Sequence, residues 1–176
     1  MTQIIVLSMS VRRAIVNLLI RASKDIVTPV LLPQIQLLNA HMLQLGLEEQ
    51  LYVYGQQIGA EIARLAAEKM GIEEMTLDEM IEWAPFIIKH LTMGIARAEV
   101  VEVNREKGSF VSRVYNSPYA KLPDGTIIKR NKPACYLLAG ISAGGATRLL
   151  KKPYKIVEVK CIAMGDPYCE FLNEPV

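Results

Sequence analysis

Apolar residues recur at helical spacing through the first part of the chain, and prolines and glycines interrupt them. Over 11–26 the apolar positions predict an amphipathic helix that ends before Pro29. Pro33 precedes a second helical stretch, which Gly46 stops. Because each helix carries an apolar face that must be buried somewhere, we predict that 1–47 is helical and contributes a homodimer interface.

A third helix is predicted from about Glu48 to Lys69, with Gly71 as its C-cap. Within it Gly55 and Gly59 are four residues apart and therefore share one face. This spacing indicates close packing of the helix against another helix or against a sheet.

A fourth helix is predicted to open at Thr76. Thr76 and Glu79 form the T-x-x-E pattern of a capping box, in which two side chains pair with free backbone N–H groups. Pro85 lies inside the apolar pattern, so we expect the helix to be kinked or restarted there.

The period changes from helical to alternating in the second half of the chain. ARAEVVEV and FVSRVYN flank a turn at Lys107-Gly108, and YKIVEVKCIAM and YCEFL flank a turn at Gly165, which predicts two antiparallel hairpins. A fifth helix is predicted between them, beginning near Pro133. The expected fold class is α+β, with a small antiparallel sheet of two hairpins and about five helices in a single domain over 1–176.

Composition narrows the class of protein. The chain has 176 residues, 51% of them hydrophobic, and a net charge of +2, so it lacks the basic footprint of a nucleic-acid-binding domain. No apolar run approaches the roughly 20 residues that a membrane span needs, and the N-terminus does not have the order of a secretory signal. We therefore expect a cytoplasmic protein, in which cysteines stay reduced or bind metal.

Three cysteines, Cys135, Cys161 and Cys169, all lie in the last quarter of the chain. A hairpin centred on Gly165 makes Cys161 and Cys169 cross-strand neighbours, so two thiolates could reach one metal ion. Glu158 belongs on the opposite face of a regular strand and can join them only through a bulge. Three buried, reduced cysteines, or a disulfide between Cys161 and Cys169, are the alternatives that the spacing leaves open.

The C-terminal motif adds glycines to this set. Gly140 and Gly145 form G-x4-G, and the last hairpin reads E-x2-C-x3-G-x3-C-x-F from Glu158 to Phe171. This pattern resembles the 4-vinyl-reductase domain family, which also covers the effector-binding domains of aromatic-responsive bacterial activators. A more distant similarity extends to vesicle-tethering subunits of transport complexes. The resemblance covers residues 48–173.

The resemblance implies a zinc ion with four protein ligands, which are Cys135, Glu158, Cys161 and Cys169. A site with four protein ligands is closed, so this zinc would be structural. Three thiolates and a carboxylate leave it a net charge of about −2. We expect Lys155, Lys160 or backbone N–H groups to offset that charge.

The resemblance also implies an apolar ligand pocket between the helices and the sheet, beside the last hairpin. The candidates are Trp83, Phe86 and His90 on the fourth helix, Tyr115 on the first hairpin, and Tyr136 beside Cys135. An aromatic stripe at helical spacing is equally typical of an ordinary core, and a single histidine of a surface position. The aromatic sensors hold a phenol hydroxyl with a tryptophan and a histidine. The matching tryptophan position falls near Val114, so a hydrophobic ligand without a polar anchor is as consistent as a phenol.

Together these features predict a zinc-stabilised, stand-alone domain over 48–176 that binds or senses a small hydrophobic or aromatic molecule. Two alternatives remain: an accessory subunit of a vinyl or tetrapyrrole reductase, and a ligand-free structural or tethering module. The chain has no dinucleotide-binding or phosphate-binding glycine motif and no nucleophile constellation, so we expect no catalytic residue and no enzyme activity of its own.

Overall fold

Four α-helices and one four-stranded antiparallel sheet make up residues 27–176, which the computed structural model describes. The helices are α1 (Val27–Gln44), α2 (Glu48–Met70), α3 (Leu77–Leu91) and α4 (Tyr136–Leu150). The strands are β1 (Arg97–Asn104), β2 (Ser109–Tyr115), β3 (Tyr154–Lys160) and β4 (Cys169–Pro175). The predicted α+β class is confirmed, and the helix predicted over 11–26 lies outside the described residues.

Helix α1 runs through Pro33, so the predicted interruption between Pro29 and Pro33 is wrong. Pro29 falls in the first turn, where a backbone N–H has no partner within the helix. Leu32 and Leu43, on either side of Pro33, are both buried. Burial of this face outweighs the one hydrogen bond that Pro33 removes.

Helix α2 packs backbone to backbone on α4, as the spacing of Gly55 and Gly59 predicted. A β-carbon on Gly59 would lie 1.9 Å from the carbonyl oxygen of Ile141, and one on Gly140 would lie 2.1 Å from the carbonyl oxygen of Tyr52. Only glycine fits at these positions, so the small residues of both helices set the distance between them.

Helix α3 begins with the predicted capping box. Thr76 Oγ1 accepts the Glu79 N–H at 3.2 Å, and Glu79 Oε2 accepts the Thr76 N–H at 2.7 Å. The helix continues through Pro85 to Leu91 and is not restarted. Trp83 is buried just before this proline, which holds the helix on the domain.

The two predicted hairpins lie side by side in one sheet of order β1-β2-β4-β3, because β2 pairs with β4. Three rows of side chains cross the face that the helices cover, which we call the inner face. The rows are Phe110–Asn173–Ile156, then Ser112–Phe171–Glu158, then Val114–Cys169. Across residues 27–176, no helix combines the length and hydropathy that a membrane span requires.

Candidate functional site

Cys135, Glu158, Cys161 and Cys169 meet at one end of the inner face, and we call these four residues the metal cluster. Their ligand atoms all lie within 4.8 Å of one another, and all four residues are buried. The Sγ atom of Cys169 lies 3.7 Å from the Sγ atoms of both Cys135 and Cys161.

Each cysteine of the metal cluster stands at the end of an element. Cys135 is the N-cap of α4, as predicted for a residue at the start of that helix. Cys161 follows β3, and Cys169 opens β4. The last ladder pair between these strands is Lys160 with Glu170, so Cys161 and Cys169 are the next facing positions.

Glu158 reaches the metal cluster because β3 is irregular there. The register of β3 against β4 shifts between Glu158 and Lys160, which leaves Val159 as an extra, 40% exposed residue. With this bulge, Glu158 and Cys161 face the same side of the strand. The condition that the sequence set for Glu158 is therefore met.

The spacing of the metal cluster fits a tetrahedral metal ion. Zinc–sulfur bonds of about 2.3 Å place the sulfurs of a tetrahedron about 3.8 Å apart, close to the 3.7 Å found here. Glu158 Oε2 accepts the Cys135 N–H at 2.8 Å. Glu158 Oε1 is buried and has no hydrogen-bond partner among the described residues, which is costly unless a cation is beside it. The buried cluster could therefore hold a metal ion.

Burial and mutual proximity shift the pKa values of these groups. Burial, with the charge of Cys161 second, raises the pKa of Glu158 to about 8. Burial also raises the pKa of the Cys135 thiol. Hydrogen bonds from Cys135 and Cys169 lower the pKa of Cys161. Negative charge therefore concentrates on Cys161, and a bound dication would favour deprotonation of the other groups.

Neighbouring polar groups orient the metal cluster. Ser117 Oγ lies 3.3 Å from Cys135 Sγ, and Asp166 Oδ2 accepts the Cys161 N–H at 2.9 Å. The backbone N–H of Ala163 donates to Cys161 Sγ at 3.4 Å. Backbone groups thus face the cluster, whereas Lys160, one of the two lysines predicted to offset its charge, bonds to Glu170 at 2.9 Å.

The other predicted lysine, Lys155, is exposed and pairs with Glu174 across the sheet. It alternates with the buried Ile156, so it lies on the face of the sheet opposite the metal cluster. Neither lysine therefore contacts the cluster.

A cavity of about 770 Å³ lies at the other end of the inner face, between α2, α3, α4 and the sheet. Of the predicted pocket residues, Trp83, Phe86 and His90 line it. The Trp83 and Phe86 rings meet edge to face with centroids 5.5 Å apart. Burial lowers the pKa of His90, so its imidazole is neutral at pH 7. The remaining walls are mainly aliphatic and include Ile62, Ala63, Ala66, Met80, Ile87, Ile141, Ala146 and Leu149.

Tyr115 and Tyr136, the other predicted pocket residues, do not line this cavity. Phe110, Ser112 and Val114 are the buried residues of β2, and Tyr115 alternates with them onto the outer face. Its hydroxyl donates to Glu99 Oε1 at 2.6 Å there. Tyr136 is the first residue of α4 and packs, half-buried, beside the metal cluster.

The metal cluster and the cavity are connected through the strands. Ile156 borders the cavity and is two residues from Glu158 on the same strand. Asn173 borders it too and is four residues from Cys169. At about 3.4 Å per residue, these steps span about 7 and 14 Å. The two sites therefore share one rigid sheet face.

Sequence reasoning missed two polar residues at the cavity, Ser112 and Asn173. A signal for Asn173 was present, since the alternation C-x-F-x-N places it on the same face as Cys169 and Phe171. The wall from α2 was also missed, because its residues lie far along the chain from the last hairpin.

Comparisons with known proteins place the last part of the chain in a family. Residues 112–175, which include the whole metal cluster, match the model of the 4-vinyl-reductase domain. An uncharacterised protein of Methanocaldococcus jannaschii is 29% identical over 129 residues, which are 72% of this chain and 64% of that protein. A second protein of that organism is 46% identical over 46 residues, which are 20% of its length. The chain thus spans less than two thirds of the length of these relatives.

Two solved structures share the fold. The phenol-responsive sensory domain of the transcription activator PoxR, solved with phenol, has a TM-score of 0.62 at 21% identity, covering 82% of this chain and 74% of that one. Subunit 3 of a trafficking protein particle complex from Naegleria fowleri, covalently bound to palmitic acid, has a TM-score of 0.66 at 17% identity, covering 86% and 96%. The resemblance that the C-terminal motif indicated is confirmed, and residues 112–175 are a domain of the 4-vinyl-reductase family.

Proposed function

We propose that this chain is a zinc-stabilised domain that binds a small hydrophobic molecule in the cavity and acts as a sensor. The observation that carries the proposal is the position of the cavity beside the metal cluster, on the same sheet face. A metal ion there would fix the strands that form the cavity floor, without taking part in chemistry.

Zinc suits the donor set of the metal cluster. Thiolate ligands select zinc, copper(I) or iron–sulfur clusters, and a tetrahedral set of three thiolates and one carboxylate favours zinc among these. Four protein ligands leave no open position for substrate, so we assign the ion a structural role. When bound, the ion would neutralise buried negative charge that Cys135, Glu158, Cys161 and Cys169 cannot all carry without it.

The cavity has the size and lining of a small-molecule site. Such sites have volumes of about 300–1,000 Å³ and mostly apolar walls, and the volume here is about 770 Å³. The two solved neighbours carry phenol and palmitic acid respectively, so aromatic and aliphatic ligands both enter our proposal. The cavity also argues against the ligand-free tethering module, for which a filled interior is expected.

A homodimer is part of the proposal. Helix α1 contains no aspartate, glutamate, lysine or arginine, yet it exposes four leucines, which are Leu31, Leu37, Leu38 and Leu45. Such a helix face is stable in water only when another surface covers it. We assign that role to a second copy of the chain, in the reducing cytoplasm where Cys135, Cys161 and Cys169 remain free thiols or metal ligands.

Native mass spectrometry of the purified protein tests these assignments together. We expect a dimer with one zinc per chain and, after addition of an apolar compound such as 4-butylphenol, one ligand per chain. Ligand binding should also change the fluorescence of Trp83, the only tryptophan of the chain. A chain that carries much less than one zinc, or that takes up neither aromatic nor aliphatic compounds, would refute the corresponding part.

A further inference from the structure

Two polar side chains, Ser112 and Asn173, form part of the cavity floor between apolar neighbours. They are 2% and 4% exposed, and Asn173 Nδ2 lies 3.1 Å from Ser112 Oγ. Polar groups this deep are normally fully hydrogen-bonded, so any unused donor or acceptor has to be explained.

The surroundings of Asn173 fix the orientation of its amide. Nδ2 donates to the carbonyl oxygens of Phe110 at 3.2 Å and Phe171 at 3.0 Å. Carbonyl oxygens can only accept, so the nitrogen must face them and Oδ1 must face the other way. All the hydrogen bonds that Asn173 makes with described residues involve Nδ2, which leaves Oδ1 as a free acceptor.

Open space lies beside that acceptor. The side-chain atoms of residues 27–176 that are fully enclosed without a partner belong to Asn39, Arg130 and Glu158, and Asn173 Oδ1 is not among them. The open space that Asn173 borders is the cavity. Ser112 has one O–H group, and within the described chain its oxygen accepts from Asn173 while the O–H donates to no acceptor.

We propose that Ser112 and Asn173 recognise a hydroxyl group on an otherwise apolar, uncharged ligand. The ligand O–H donates to Asn173 Oδ1, and the ligand oxygen accepts from the Ser112 O–H. A hydroxyl group satisfies both side chains at once, whereas a hydrocarbon leaves both unpaired. This inference rests on the proposed function of the cavity and names the ligand class.

A carboxylate is a poor match for the same position. Its oxygens would face the oxygen of Asn173, and a buried charge needs a nearby opposite charge. The one lysine or arginine among the described residues that line the cavity is Lys69, which is exposed in the last turn of α2. A fatty acid would therefore bind with its carboxylate away from Ser112 and Asn173.

The test compares 4-butylphenol with 4-butyltoluene, in which a methyl group replaces the hydroxyl, and with 4-butylbenzoate. Affinities are measured by calorimetry at pH 7 for the wild-type protein and for S112A, N173L and S142A. Because one buried hydrogen bond has a net value near one kcal/mol, we expect the wild-type protein to prefer the phenol over the toluene by about three- to tenfold. In S112A and N173L the preference should fall towards one while the affinity for 4-butyltoluene is retained.

S142A removes another hydroxyl that lines the cavity, on α4, and should keep the preference. Equal affinities of the wild-type protein for the phenol and the toluene would overturn the inference and leave the proposed function standing. A preference that survives in both S112A and N173L, or tighter binding of the benzoate, would also overturn it. If none of the three compounds binds, the proposed function fails as well. S112A removes only a hydroxyl, so it keeps the test valid if N173L does not fold.

Discussion

Cys135, Cys161 and Cys169 are fully buried at one end of the inner sheet face, whereas the other end borders a cavity of about 770 Å³. The same strands, β2, β3 and β4, serve both ends. The metal end uses short polar side chains with little conformational freedom, drawn together to 3.7 Å. The cavity end uses large apolar side chains that do not fill the space between them.

This contrast shows how stability and binding are separated in the domain. Unfilled volume forfeits packing energy, because side chains around a void lose contacts that they would make in a close-packed core. A metal cluster on the same strands can offset that loss without occupying the cavity. The predictions below test whether the two ends differ in this way.

The largest effect is expected at the metal end, for C161S. Loss of one thiolate should abolish stoichiometric zinc binding and remove about 4 kcal/mol, the value for a ligand present at a thousand times its dissociation constant. For a chain of this size the melting temperature should fall by about 8–16 °C. Elemental analysis and thermal unfolding measure both quantities.

Chelation provides the control for this prediction. Removing metal from the wild-type protein should reproduce the lower melting temperature, and the chelator should not change the melting temperature of C161S. If C161S melts at the wild-type temperature, the metal end is not the more stabilising one and the comparison fails.

A smaller effect is expected where α2 meets α4, for G59A. The added β-carbon would lie 1.9 Å from the carbonyl oxygen of Ile141, so the two helices must move apart. Overpacking of this kind costs about 1–3 kcal/mol, to be measured by urea unfolding.

Gly145 is a matched control, because it also lies in a helix and lines the cavity. Its β-carbon would meet no atom closer than 3.7 Å. Alanine is the better helix former, so G145A should be neutral or more stable by up to about 1 kcal/mol. Equal destabilisation by G59A and G145A would show that helix spacing does not depend on Gly59.

The smallest effect is the difference between two valine substitutions on α4, A143V and A146V. Ala143 is fully buried in the packed core, whereas Ala146 lines the cavity. Valine carries the same helix penalty at both positions, so the two costs cancel in the comparison. We expect A146V to be the more stable by about 1–2 kcal/mol, since its methyl groups enter open space. Urea unfolding measures this difference, and equal stabilities would show that the cavity end is as tightly packed as the rest.

Local signals predicted much of the fold. The capping box of Thr76, the turn at Lys107-Gly108 and the spacing of Gly55 and Gly59 each specify geometry within a few residues, and each appears in the structure. Helix α1 is the exception, because contacts with distant parts of the chain decide whether a helix continues through Pro33.

The candidate site was only partly predictable. The metal cluster follows from cysteine spacing and the family motif, since both lie within 35 residues of sequence. The cavity is formed by α2, α3, α4 and the sheet together, and empty space leaves no pattern in a sequence. Tyr115 was placed in the pocket because it is aromatic, although the alternation of β2 directs it to the outer face.

The bulge at Val159 has a consequence for how the motif can vary by insertion and deletion. With one extra residue in β3, the spacing E-x2-C brings Glu158 and Cys161 to the same side. A chain that lacked this residue would present the same two ligands with the spacing E-x-C on a regular strand. A deletion there that kept Cys161 in place would thus preserve both the ligand set and the inward direction of Ile156. A deletion on the β4 side of the hairpin would instead reverse the faces of Cys169, Phe171 and Asn173.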